Sequence, residues 1–167
     1  VVMARFIDER IVGYIEEKIE GRLGLVINRE KTRVLRMKND DAALDFLGYR
    51  FRFSRSHRKG GGPRYWRLEA SPKALRRARE KIHALTEAKH CFLPPEDVVK
   101  RVNAFLRGWL GYFSLGYPAH ARWNLVRFAE ERIATHLRRR SQRPYRPPEG
   151  VPLQQFAHDL GLIGLQE

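Results

Sequence analysis

The chain has 167 residues, 43% of them hydrophobic and 11% aromatic, with 33 Lys/Arg against 19 Asp/Glu and a formal net charge of +14. That length and composition support one domain with a true core or two small lobes, and exclude global disorder. No apolar run nears the ~18 residues of a membrane span, and the single cysteine, Cys91, excludes an internal disulfide and a Cys-rich zinc site.

Nothing at the N-terminus reads as a signal peptide, so the expectation is a soluble, cytoplasmic, bacterial-type chain without a membrane partner. Charge is unevenly placed. Residues 1–53 carry 11 Lys/Arg and nine Asp/Glu, whereas residues 54–167 carry 22 and 10. Such a surplus favours a polyanionic partner, because neutralised phosphates release condensed counterions. A solubilising basic surface or an anionic lipid is the other source of such a balance. Arginines interleaved with aromatics, without a lipid-seeking amphipathic end, point to nucleic acid.

In chain order, Val1 to Met3 fits the end of a strand. Residues 7–22 have helical spacing, with Ile7, Ile11, Tyr14 or Ile15, and Ile19 on one face and acidic residues on the other. Leu25 to Ile27 and Lys31 to Met37 read as short strands, with Asn39-Asp40-Asp41 a turn. Phe46 to Phe53 alternates as one half-buried strand. Ser54 to Arg64, with Arg58, Lys59 and a glycine triplet, reads as a basic hairpin tip returning through Tyr65 to Leu68. The triplet lacks the Gly-Lys-Ser/Thr helix start of a phosphate loop.

From Ser71 the pattern is helical. Ser71 is an N-cap with Pro72 at the first helical position, and Leu75, Ala78, Ile82 and Leu85 form a seam. Pro94-Pro95-Glu96-Asp97 opens a second helix, with Val98, Val102, Phe105, Trp109 and Tyr112 as its apolar face. Pro118 opens a third, with Trp123, Val126 or Arg127, Ile133 and Leu137 recurring. Three such helices make a compact bundle. Prolines from Pro144 to Pro148 break regularity before a last amphipathic segment, Leu153 to Leu160.

No nucleophile–base pair with recognisable spacing emerges. His90 beside Cys91 falls short of four well-spaced ligands, so no metal site is expected. His57, His83, His120, His136 and His158 read as ordinary surface or interface residues. Asp40-Asp41 sits in a polar turn and reads as a turn, not as a metal-holding pair. From spacing alone, Asn28-x-x-Lys31-Thr32 is a turn with a solvated lysine. Trp109 and Phe113 are assigned to the core. The candidate nucleic-acid contacts are Arg58, Lys59, Lys73, Arg76, Arg77, Lys100, Arg107, Arg138, Arg139 and Arg140.

Several segments, taken in order, resemble the reverse transcriptase/maturase proteins of group II introns. Leu23 to Thr32 and Phe46-Leu47-Gly48-Tyr49 resemble the end of the polymerase palm, Ser71 to Leu75 the start of the thumb or maturase domain, and Asn103 to Phe113 its Gly-Trp stretch. Leu160-Gly161-Leu162 resembles the ending of bacterial members that lack an endonuclease domain. The resemblance implies an α+β chain, with a small antiparallel β palm remnant carrying one helix, followed by a three-helix thumb-type bundle. Its expected divisions are 1–53 (palm end), 54–70 (basic hairpin connector), 71–141 (helical maturase domain) and 142–167 (basic tail with a short helix).

The resemblance also implies roles. Lys31 becomes a lysine on the triphosphate side, and Phe46, Leu47, Gly48 and Tyr49 match the primer grip. The family's catalytic Asp-Asp lies just before the position matched by Val1, so the expectation is a cut, remnant or split polymerase, inactive alone. Magnesium would belong to the complete polymerase and no cofactor to this chain. The implied partners are intron RNA, an RNA/DNA template–primer duplex and the missing N-terminal reverse transcriptase part. A general basic nucleic-acid scaffold is the alternative.

Overall fold

The computed structural model describes residues 2–37, 39, 42–55, 62–140 and 150–164. The chain divides into two compact units, Val1–Arg36 and Met37–Glu167. The expected hairpin tip with Arg58 and Lys59, the Asp40-Asp41 turn and the proline segment lie outside the described residues.

In the first unit, helix α1 (Glu9–Glu17) starts where Asp8 accepts a hydrogen bond from the Ile11 amide, and continues into a wider π-helical turn over Lys18–Arg22. Glu20 ties the following segment back, accepting from the Ile27 amide at 3.2 Å and from Arg29 at 3.3 Å. The strands expected at residues 2–3, 25–27 and 31–37 do not form among the described residues. A strand needs a ladder partner for its backbone groups, and this unit offers none. No described residue of the unit is buried, and Val26 is 93% exposed.

The second unit opens with a three-stranded antiparallel sheet in the order β1 (Ala43–Phe46), β2 (Tyr49–Arg55), β3 (Arg64–Ala70). The single strand expected from Phe46 to Phe53 is instead two strands around a two-residue corner, Leu47-Gly48. Both corner residues have positive φ, 50° and 81°, as the tightest hairpin turns require. Asp45 faces Arg50 across the first pair and holds it through two bonds of 2.7 and 2.9 Å. Arg52 and Arg67 stand directly opposite each other, and Glu69 bridges both, at 3.0 and 2.8 Å.

Helix α2 (Pro72–Leu85) begins as its sequence dictates, with the Ser71 hydroxyl accepting from the Ala74 amide. Helices α3 (Pro95–Tyr112) and α4 (Ala119–Arg139) follow, and α5 (Leu153–Asp159) packs on α4. Ala78 and Ile82 of α2, Val98, Val102 and Leu106 of α3, and Leu125, Ala129, Ile133 and Leu137 of α4 form the core.

Ala157, Leu162 and Ile163 complete that core. Two features correct the sequence expectation. Leu106 is fully buried in place of Tyr112, and Leu125 in place of Trp123; both aromatics are half exposed because their positions fall off the buried stripe. His136 is fully buried, not superficial. Trp109 and Phe113 are at the core as expected, and Trp109 touches both the bundle core and the smaller cluster of Tyr49, Ala70, Phe113 and Ala121 beneath the sheet.

Candidate nucleic-acid interface

Residues 72–140 hold 15 Lys/Arg and six Asp/Glu, so the helical part carries most of the charge surplus. On α2, Lys73, Arg77 and Lys81 recur every four residues and therefore share one flank. All three are exposed and make no ion pair with a described residue. Arg76 lies on another flank, 3.9 Å from Glu80, beside a shallow groove lined by Arg76, Arg79, Glu80, His83 and Phe128. The Arg79 guanidinium rests over the Phe128 ring at 5.9 Å.

The exposed side of α3 presents Lys100, Arg101, Ala104, Arg107, Gly108 and Gly111. Lys100 is within 3.4 Å of Asp97, an exposed pair that contributes little. A Cβ at Gly108 or Gly111 would meet nothing within 4 Å, so no internal contact calls for glycine there. Glycine inside a helix costs about 1 kcal/mol relative to alanine. The result is a bare helix ridge flanked by cations. At the end of α4, Arg138 and Arg139 are exposed and Arg140 is half-buried.

Behind Arg138–Arg140, Thr86 anchors two α4 side chains that charge-counting overlooked. Its hydroxyl accepts from Arg132 Nε at 3.1 Å, and its carbonyl faces His136 Nδ1 at 3.2 Å. Burial holds the His136 imidazole below the usual histidine range, with the Thr86 carbonyl opposing and Arg140, His90 and Arg132 reinforcing. Burial also lowers the Arg132 guanidinium, helped by Arg139.

The residues matching the primer grip form the β1–β2 corner, clamped against the C-terminal end of α3. Tyr49 is buried and its hydroxyl donates to the Tyr112 carbonyl, while the Tyr112 hydroxyl donates to the Leu47 carbonyl at 2.8 Å. The Ser71 amide donates to the Gly48 carbonyl at 2.8 Å. A Cβ on Gly48 would come within 3.0 Å of the Phe113 ring, so the corner needs glycine for space as well as for φ. Tyr49, Trp109, Tyr112 and Phe113 stack around this joint, with centroids 4.4–5.8 Å apart along the series. Leu47 is left-handed and 68% exposed. That conformation costs a non-glycine residue about 1–2 kcal/mol, and a hydrogen bond such as Tyr112 to Leu47 contributes about 0.5–1.5 kcal/mol. The two are of the same size, so the clamp is what makes the corner tenable. The sequence pattern places Tyr112 on the apolar face of this helix. The Leu-Gly pair between two alternating runs was the available signal for the hairpin.

Lys31 lies in the first unit. Asn28 closes the turn around it, accepting from the Lys31 amide through Oδ1 at 3.0 Å and from the Thr32 amide and hydroxyl through its carbonyl. The Lys31 side chain is exposed, with no ion pair to a described residue. Among the described residues, no three His, Cys, Asp or Glu side chains come together as a metal site. The magnesium that the resemblance implies for a complete polymerase therefore finds no fitting donor set there. Among the same residues, no helix is long and apolar enough to cross a membrane.

The second unit is thus an α+β fold whose helical part is a basic three-helix module closed by a short fourth helix. Residues 75–149 match the family model of the group II intron, maturase-specific domain. The match takes in α3 and α4 and ends before α5, although α5 and the segment after it supply part of the core. No curated protein matches the chain.

Proposed function

We propose that the chain binds nucleic acid and does not itself transform it: it acts as the C-terminal part of a group II intron reverse transcriptase/maturase. Its helical domain holds intron RNA and template–primer duplex, supporting splicing and reverse transcription. The observation that carries this reading is the set of exposed cations on the helical part that make no ion pair with a described residue, Lys73, Arg77, Arg101, Arg107, Arg138 and Arg139. Cations left without carboxylate partners on a folded surface are free to meet phosphates, and each phosphate neutralised releases counterions. Arg76 and Lys100 join them at little cost, because exposed pairs are weak.

The corner residues Phe46 to Tyr49 belong to the same surface in this reading and meet the strand end of the duplex. Lys31 serves the triphosphate side of the polymerase. The metal-binding carboxylates and the magnesium they hold belong to the N-terminal reverse transcriptase part in this reading. The exposed apolar residues of the first unit, among them Val2, Met3, Phe6, Leu25 and Val26, support a docking role for that unit.

The test is equilibrium binding of the full chain to a folded group II intron transcript and to an unrelated structured RNA of equal length. Titrations between about 50 and 200 mM salt should show a log–log slope that falls by roughly one for each neutralised cation, as in Arg77→Ala. Preference for the intron transcript supports the maturase reading. Equal affinity for both RNAs and for heparin would instead mark a general basic scaffold.

A further inference from the structure

The exposed ridge of α3 and the β1–β2 corner meet at Tyr112. Tyr112 closes α3 with its ring exposed, one helical turn from Gly108 and Arg107, and its hydroxyl reaches the Leu47 carbonyl at 2.8 Å. Tyr49 returns a hydrogen bond to the Tyr112 carbonyl, so the two tyrosines lock the corner to the helix in both directions. Within that lock Leu47 keeps a φ of 50° and projects an isobutyl group that is 68% exposed. The hairpin turn accounts for the φ, but the Leu47 side chain packs in no core cluster among the described residues. Backbone held in a sparsely populated conformation to put an apolar group into water is characteristic of a contact surface. The neighbouring surface names the partner's chemistry. Arg107 and Lys100 offer cations, and the glycines at 108 and 111 let a sugar–phosphate backbone come close to the helix.

We propose that Tyr112 is a positioning residue for nucleic-acid binding: it fixes Leu47 at the end of the α3 ridge, so that one RNA-containing duplex meets the cations of α3 and the Leu47 side chain together. The wide, shallow minor groove of an A-form duplex accepts such a side chain. The inference rests on the reading that this domain holds nucleic acid.

The experiment compares the full chain with Tyr112→Phe, Leu47→Gly and the double variant, using a fluorescein-labelled RNA–DNA hybrid with a recessed 3′ end and anisotropy as readout. Tyr112→Phe should weaken binding about five- to tenfold. It should add nothing in the Leu47→Gly background, because the side chain it positions is gone. Backbone NMR shifts of Leu47 and Gly48 should move in Tyr112→Phe while the rest of the spectrum holds. Unchanged affinity, or an equal loss in both backgrounds, overturns the proposal. Failure of the unaltered chain to bind the hybrid would overturn the nucleic-acid reading itself. Unmoved Leu47 and Gly48 shifts would refute the positioning role whatever the binding result.

Discussion

Replacing Asn103 by alanine should release the C-terminal segment from the bundle. Asn103 is 5% exposed, and its amide spans a gap of about sixty residues in sequence: Nδ2 donates to the Gly161 carbonyl at 2.7 Å, and Oδ1 accepts from the Ile163 amide at 3.0 Å. In Asn103→Ala the Ile163 amide, on a residue that is itself buried, loses its acceptor. An orphaned buried donor costs about 1–3 kcal/mol. The bond to Gly161 adds about 0.5–1.5 kcal/mol, partly recovered by water because Gly161 is exposed. Alanine's better helix propensity returns about 0.5 kcal/mol. The net expectation is a loss of about 2–3 kcal/mol. Urea titration followed by circular dichroism measures the stability change, and amide exchange of Ile163 reports the local release. A loss below about 0.5 kcal/mol, with the Ile163 amide still protected, would refute the assignment of this side chain as the clamp.

Two further outcomes are expected. Gly116 has a φ of 75°, and an added Cβ would lie 2.4 Å from the Leu68 carbonyl oxygen, so Gly116→Ala should cost about 2–4 kcal/mol in chemical denaturation, through strain and overpacking together. His136 is held below the usual histidine range in the folded chain. The unfolded chain therefore takes up the proton first: stability is full above the unfolded value of about 6.5 and declines as pH falls below it, until the folded pKa is reached. Urea midpoints across about pH 5.5–7.5, one unit either side of that value, should show this decline, and His136→Gln should flatten it.

The legible parts of the chain were those specified locally. Ser71 and Pro72 announce α2 because a cap and a fixed φ act on neighbouring residues, and the prolines at 94, 95 and 118 mark α3 and α4 in the same way. The maturase-type Gly-Trp stretch was readable from residue order and is matched by the family model. What escaped depended on distant partners. The Tyr112 clasp joins residues more than sixty positions apart, and the Asn103 clamp binds main-chain groups, which leave no mark in composition. His136 was readable in part, since it adjoins Leu137 and follows Ile133 by three on the buried stripe of α4. The absent strands after α1 show the limit of local pattern: alternation supplies a candidate strand, but only a partner edge makes one.

The bundle core is assembled from residues that are widely spread along the chain, from Ala78 to Ile163. During synthesis, α2, α3 and α4 leave the ribosome well before Ala157, Leu162 and Ile163, and the amide of Asn103 waits some sixty residues for its partners. Until then the side of the bundle destined for the last segment is bare hydrocarbon in water. A nascent chain stalled near residue 150 should therefore hold chaperones, and the domain should pass to its stable form only once residues 157–163 have emerged.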